Sequence, residues 1–526
     1  MSKTAPTQPS PRAREQWSGQ RGFILAAIGS AVGLGNIWRF PGVAYENGGG
    51  AFLVPYLVAL LTAGIPVLLL DYSIGHRFRG SAPAALRRLA GRGGETLGWF
   101  QVAISFAIIL YYTVIIAWSA SYLVFSVTQA WGDDTQAFLY GEYLQLADAP
   151  GVSADVVPSV LIPLLLVWVV VLAILALGVQ KGLERANLVF LPVLVVLFVT
   201  LVVRALFLDG AVDGLNAFFT PDWSALADPG VWVSAYGQIF FSLSIAFGIM
   251  ITYSSYLRRR SNLTSTGLVV GFANSSFEIL AGIGVFAALG FMAAQSGTTV
   301  AELEGIAGVS LAFIAFPQII SMMPGGPIFG VLFFGSLTLA GLTSLLSILQ
   351  VVSAAFQEKF GLTARQGALR IGAVAALLSV ALFSTRTALY VLDTVDKYVN
   401  EVGVLTSAVL TAVVATWVVR RLPELQAHLN AVSSLRVGTW WRVLIGLVVP
   451  VVLGYILVSG AVTLIQDGYE GYPRWFTNGF GWGVVVLLPI AAVALTSLRW
   501  RHDVDGFTPD TLPGVAARRS RTEARR

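Results

Sequence analysis

The chain has 526 residues, no cysteine and three histidines, and only 12% of its residues are charged. Without cysteine there is no disulfide framework, no thiol nucleophile and no thiolate-held metal. His76, His428 and His502 are scattered and read as loop residues, and no HExxH, P-loop or GxSxG pattern occurs. An enzyme is therefore excluded for want of a catalytic constellation. The net charge of +5 is no nucleic-acid signal, because the basic residues are dispersed over separate loops.

What the sequence does have is long apolar runs, with 56% hydrophobic residues overall. A membrane-crossing helix needs about 20 apolar residues, and about twelve segments meet that requirement. They lie near 21–46, 52–75, 97–128, 158–178, 186–208, 231–257, 264–294, 327–357, 369–385, 390–420, 440–465 and 475–499. Arginines and lysines gather in alternate loops, among them Arg77, Arg79, Arg87, Arg88, Lys181, Arg185 and Arg258 to Arg260. The opposite loops carry Asp133, Asp134, Glu142, Asp209, Asp213 and Asp222. The positive-inside rule then puts both termini of a multi-pass protein in the cytoplasm, and the membrane expected is a prokaryotic-type plasma (inner) membrane. Residues 1–20 form a cytoplasmic N-terminal segment and 501–526 a basic cytoplasmic tail. No cleavable signal peptide is evident, since the first apolar run follows a polar lead and is too long for a simple signal core.

The stretch from Gly29 to Pro41, Gly-Ser-Ala-Val-Gly-Leu-Gly-Asn-Ile-Trp-Arg-Phe-Pro, sits inside the first apolar run. Glycines loosen a helix, and an amide and a guanidinium are costly in hydrocarbon. Irregular backbone at that depth is tolerated where it lines a cavity or is buried in protein. The spacing Gly29-x-x-x-Gly33 alone would serve equally as a helix-packing face. Asn36 and Arg39 tip the reading toward a binding site. A second interruption falls at Gln238 to Gly248, in the first span of the second group of five. Broken helices at matching positions of two halves point to a midplane site in an inverted-repeat transporter. The repeats would be 21–208 and 231–420, with two additional spans in 440–500.

Four motifs occur in order: Gly33-Leu-Gly-Asn-Ile-Trp-Arg-Phe-Pro41, Glu46-Asn-Gly-Gly-Gly-Ala-Phe52, Gly237-Gln-Ile-Phe-Phe241 and Ala340-Gly-Leu-Thr-Ser344. With them the chain resembles the neurotransmitter:sodium symporter family over residues 14 to 500. The resemblance implies an all-α polytopic protein of the LeuT type, with a 5+5 inverted repeat and unwound first and sixth helices. It implies that the amides of Leu34 and Gly35 and the hydroxyl of Tyr112 take a substrate carboxylate. Tyr112 or its neighbour Tyr111 could instead be an interfacial aromatic. The ammonium would meet carbonyls of Ala31, Phe241 and Ser242 and the hydroxyl of Ser244. Gly33 stands where the family's monoamine carriers have Asp, which argues for a zwitterionic amino acid. Walls would come from Ile108, Phe247, Ser344, Ser347 and Ile348, although Ile108 and Ile348 equally suit ordinary core or lipid-facing positions. No wall residue is ionisable, so a neutral, largely apolar side chain is expected.

By the same resemblance one sodium site uses Ala31, Asn36, Ser242 and Asn274. The other uses Gly29, Val32, Ala340, Thr343 and Ser344. Hydroxyls of Thr343 and Ser344 could also bond back to their own helix. Arg39 and Asp396 match an outer gate, with Phe247 and Tyr112 as a lid. Arg14 and Glu358 match an inner gate beside Trp17 and Tyr256, though Arg14 could be a positive-inside charge alone. Glu278 lies one turn past Asn274. It could be a buried carboxylate bonded to a neighbour such as Gln238. The family's chloride-dependent members have Ser at this position, so the resemblance implies that Glu278 replaces chloride near the first sodium and that no chloride is required. The expected function is sodium-coupled symport of a neutral, hydrophobic amino acid by alternating access. The expected partners are that amino acid, sodium and the lipid bilayer, with no nucleic acid. A carrier of an osmolyte or amino-acid derivative, or a non-transporting sensor on the same scaffold, is the alternative.

Overall fold

The computed structural model describes residues 15–303 and 306–509. Its elements are almost all helices, because a chain in hydrocarbon must satisfy every backbone N–H and C=O within itself. Among the described residues β pairing is limited to two isolated bridges, Gly49 with Pro221 and Val156 with Thr385. In chain order the helical runs are α1 Gln20–Ala31, α2 Leu34–Glu46, α3 Gly50–Phe78, α4 Ala82–Phe125, α5 Pro158–Ala176 and α6 Val179–Ala205. There follow α7 Ala211–Phe219, α8 Pro229–Ser242, α9 Ile249–Ser255, α10 Leu263–Ser296 and α11 Gly308–Met322. Then come α12 Gly326–Phe360, α13 Ala364–Phe383, α14 Ala388–Val418, α15 Leu422–Val432, α16 Thr439–Gln466 and α17 Arg474–Ser497, with the short helical segments Thr135–Ala137, Phe138–Tyr143, Trp223–Ala227 and Val300–Glu302 in the connections.

Ten of these are long and apolar enough to cross a membrane, and the bent pair α1 and α2 makes eleven. The twelfth expected segment, 231–257, is divided into α8 and α9, each too short to cross alone. Burial separates an inner set from an outer one. In their most apolar stretches, 78% of α4 and 72% of α10 is buried, against 28% of α16 and 17% of α17. The last two are clad in exposed Val, Leu and Ile, which suits a lipid-facing ring.

Three features depart from the sequence reading. The third span was expected from residue 97, yet α4 starts at Ala82 and kinks at Ala90 and Gly91, where Gly91 takes a φ of 65°. The arginine-rich stretch before the span is thus a helical turn laid beside it, not a loop. α7, α11 and α15 were not anticipated, since short helices at a membrane surface lack an apolar run of diagnostic length. Finally, His76 and His428 are not loop residues: they lie on α3 and α15, both buried, with Nδ1 and Nε2 2.8 Å apart.

The segment after α17 folds back onto the same end of the bundle. Trp500 Nε1 donates to Glu95 at 2.8 Å, and Lys359 Nζ donates to the same carboxylate at 2.6 Å. Glu95 and Lys359 are both fully buried. Arg88 donates to the Val504 carbonyl at 3.1 Å, and the amide of Arg501 donates to the Lys359 carbonyl at 3.0 Å. The Arg87 guanidinium bonded to Asp505 holds that exposed carboxyl below the usual carboxylate range.

Candidate functional site

α1 ends at Ala31, and Val32 and Gly33 are extended before α2 opens at a 53° bend. Asn36 stabilises this break by accepting from the Gly33 amide at 2.8 Å. The first amides of α2 have no helical acceptor, the ordinary condition of a helix start. One of them, Leu34 N, reaches the Tyr112 hydroxyl at 3.3 Å. Two glycines make the approach possible. A Cβ on Gly33 would lie 2.8 Å from Ser344 Oγ, and one on Gly35 would lie 2.1 Å from the Phe241 ring.

The second break runs from Leu243 to Gly248. Ser244, Ala246 and Gly248 adopt φ values of 53°, 68° and 90°, a conformation that L side chains resist. Neighbouring helices hold it open. Asp71 of α3 accepts from the Ala246 amide at 3.1 Å, and Ser407 of α14 donates to the Ala246 carbonyl. Ser105 of α4 donates to the Phe247 carbonyl at 2.8 Å. Ser244 ties the two breaks together by donating to the Ser30 carbonyl at 2.9 Å. Asp71, Ser105 and Ser407 were missed by sequence reasoning. For Asp71 a signal existed: it is a lone carboxylate in an apolar span.

The breaks face a cavity of about 310 Å³. Ala31, Gly33, Leu34, Gly35, Ile108, Tyr112, Phe241, Ser242, Ser244, Phe247, Ser344 and Ile348 all line it. Ser347 does not. Its hydroxyl donates back to the Thr343 carbonyl at 2.9 Å and it sits beside Tyr253, away from the lumen. The cavity continues past Arg39, Asp393 and Asp396 into a vestibule of about 610 Å³ that reaches Glu46 and Glu470.

Two groups of hard oxygens border the first break. In one, Asn36 Nδ2 donates to Asn274 Oδ1 at 2.9 Å, and Asn274 Nδ2 to Ser242 Oγ at 3.0 Å. All three are buried, and Ala31 ends the helix beside them. Glu278 follows on α10, fully buried, accepting from Tyr56 and from Gln238 at 2.7 Å. Tyr56 was absent from the sequence reading. In the other group, Ser344 Oγ lies 3.5, 3.2 and 3.4 Å from the carbonyls of Gly29, Ser30 and Val32. Thr343 bonds back to Ala340 at 2.9 Å, the within-helix alternative.

At the vestibule end Arg39 lies 4.5 Å over the Phe241 ring, and Asp396 accepts from Asn400 at 2.8 Å. The two share the cavity without a direct ion pair. At the opposite end Trp17 is buried, donating to the Tyr253 carbonyl at 2.9 Å, while Gln350 donates to the Tyr256 hydroxyl at 3.2 Å. The expected partner of Glu358, Arg14, lies outside the described residues. Glu358 accepts from the Ser81 amide at 2.6 Å and hydroxyl at 2.8 Å, and Arg88 stands 3.7 Å away. Nearby Glu15 accepts from the Val179 amide at 3.3 Å, and burial pushes its carboxyl up.

The model of the sodium:neurotransmitter symporter family matches residues 14–142 and 132–502. An uncharacterised sodium-dependent transporter of Methanocaldococcus jannaschii is 40% identical over 94% of this chain and 99% of its own. The human sodium- and chloride-dependent creatine transporter 1 is 30% identical over 89% of this chain and 80% of its own. The crystal structure of MhsT in complex with L-phenylalanine aligns with a TM-score of 0.73 at 33% identity, covering 85% of this chain and all of MhsT. These relatives are transporters, not enzymes. Two broken helices facing one cavity, within an almost wholly helical bundle, are accounted for together: the chain belongs to the sodium:neurotransmitter symporter family and is a sodium-dependent, multi-pass membrane transporter.

Proposed function

We propose that the protein carries a neutral, apolar amino acid into the cell together with sodium, by alternating access and without chloride. The observation that carries this reading is the polarity of the cavity. At the first break lie the start of α2 and the Tyr112 hydroxyl, where a carboxylate is stabilised by free amides and the helix dipole. Across from it Ala31, Phe241, Ser242 and Ser244 suit an ammonium. Ile108, Phe247 and Ile348 make the walls. Of the charged side chains of the cavity, Arg39, Lys397 and Glu401 also line the vestibule, and Asp393 and Asp396 share α14 with Lys397 and Glu401. A charged substrate side chain among the walls would be desolvated without a partner. The amino acid held by MhsT, L-phenylalanine, supports the same size and polarity.

Ala31, Asn36, Ser242 and Asn274 then form one sodium site, and Gly29, Val32, Ala340, Thr343 and Ser344 the other. Each sodium carried inward across a 100 mV potential supplies about 2.3 kcal/mol toward uptake. Glu278 stands as a fixed negative charge beside the first site and takes the place of a chloride ion. Arg39 with Asp396 closes the vestibule, and Phe247 and Tyr112 cover the ligand. Glu358, with Arg14, Trp17 and Tyr256, closes the other end. The bundle divides into five-span repeats at 21–208 and 231–420, with both termini cytoplasmic in a prokaryotic-type plasma membrane.

Proteoliposomes with an imposed sodium gradient test this. L-phenylalanine and similar amino acids should accumulate, and uptake should be unchanged when gluconate replaces chloride. Chloride-dependent uptake would overturn the role of Glu278; no sodium-driven uptake of any neutral amino acid would overturn the substrate. A carrier of an amino-acid derivative is the second reading, favoured by the similarity to a creatine transporter. It is separated by whether creatine or phenylalanine competes.

A further inference from the structure

Asn187, in the first half of α6, is fully buried. Its amide nitrogen donates to the Leu183 carbonyl, one turn earlier, at 2.9 Å. That bond settles which end of the amide is which, because only the nitrogen can face a carbonyl. The oxygen is left pointing at α1. It lies 2.4 Å from where a Cβ on Gly29 would be, and the Thr343 Cβ lies 3.5 Å from that same point. Asn187 Oδ1 has no hydrogen-bond partner among the described residues. Such a buried acceptor costs about 1–3 kcal/mol when left unmade, and native structures hold few of them.

This oxygen faces Gly29, and Thr343 stands against the same point from α12; both residues border the second group of hard oxygens. We propose that Asn187 Oδ1 is a further ligand of the second sodium, reaching it from α6. The inference rests on the reading of Gly29, Val32, Ala340, Thr343 and Ser344 as a sodium site. The chemistry suits the ion. Sodium is a hard cation that takes several neutral oxygens, as the related alkaline-earth ions do. An amide supplies one without adding charge to a site already short of carboxylates. It also gives α6 a contact with the ion, alongside those from α1 and α12. The absence of a side chain at Gly29 is then required, because a Cβ there would occupy the place of the ligand oxygen.

The test is sodium-dependent thermal stabilisation of the purified full chain, with sodium chloride alone as the probe. Asn187→Leu keeps the size and removes the oxygen. It should raise half-saturating sodium about tenfold, equal to about 1.4 kcal/mol. Asn187→Asp keeps an oxygen, so it should bind sodium at least as well as the unmodified protein, and more tightly as alkaline pH ionises the new carboxyl. Thr343→Val serves as the reference for the site itself. If Thr343→Val weakens the sodium response while Asn187→Leu leaves it within about twofold, the site stands and the role of Asn187 is overturned. If neither variant changes the response, the site assignment itself fails. Should Asn187→Leu not fold, Asn187→Asp decides alone: a sodium response that is flat with pH overturns the proposal.

Discussion

The two interruptions that meet at the cavity are built by opposite means. The first spans two residues, both with ordinary extended backbone, and its capping amide comes from Asn36, three residues on in the same chain segment. The second spans six, three of them left-handed, two of those not glycine. It is held by Asp71, Ser105 and Ser407, each more than 140 residues distant in sequence. A break that carries its own cap tolerates change around it. A break held from outside concentrates its stability in a few hydrogen bonds, each worth about 1 kcal/mol when kept and more when orphaned.

Substitutions at four positions sharpen or break that contrast. Gly33→Asp has the largest expected effect. The new carboxylate would lie against Ser344 and Tyr112 and repel a substrate carboxylate. Like charges about 4 Å apart in a partly screened interior repel by about 4 kcal/mol, close to a thousandfold loss. Calorimetry with L-phenylalanine should register no binding; retained affinity would mean that the first break does not hold the carboxylate. Asp71→Ala comes next, with stability falling by about 1–3 kcal/mol as the Ala246 amide loses its acceptor. Asp71→Asn keeps an oxygen there and should lose clearly less. Equal losses in thermal melts would mean that Asp71 holds the second break by packing alone. Ser105→Ala should cost about 1 kcal/mol, since only one hydrogen bond goes. Ala246→Gly is the smallest and has the opposite sign. Relief of the left-handed strain, about 1–2 kcal/mol, is partly offset by the entropy of glycine, leaving a gain of about 0.5 kcal/mol. A loss of stability in that variant would place the strain elsewhere.

The same contrast explains what could be read in advance. The first break announces itself, because three glycines, an amide and a guanidinium fall within eleven residues of an apolar run. The second is detectable only as an interruption, since its supports are single polar residues in three distant helices and nothing local links them. Ser347 was misplaced for a related reason. A hydroxyl in a membrane helix can turn to a cavity or back to its own backbone, and its residue type does not say which. Thr343 turns back while Ser344 faces the carbonyls of α1, one residue apart on the same helix. Glu358 was assigned Arg14 by resemblance, a residue outside those described; its bonds to Ser81 and its approach to Arg88 come from the helical turns that precede the kink at Gly91 in α4. That kink has no counterpart in hydrophobic periodicity.

The fold-back after α17 has a consequence for the order of assembly. Lys359 ends α12, and Glu95 lies in α4, so both are synthesised long before Trp500. Until residues 500–505 emerge from the ribosome, this charged pair lacks the indole and the backbone that enclose it. The last step in building the bundle is thus a polar segment settling over helices already in the membrane. A chain cut just before Trp500 would retain every span yet leave that end unsealed, whereas a fusion appended beyond Phe507 would leave the seal untouched.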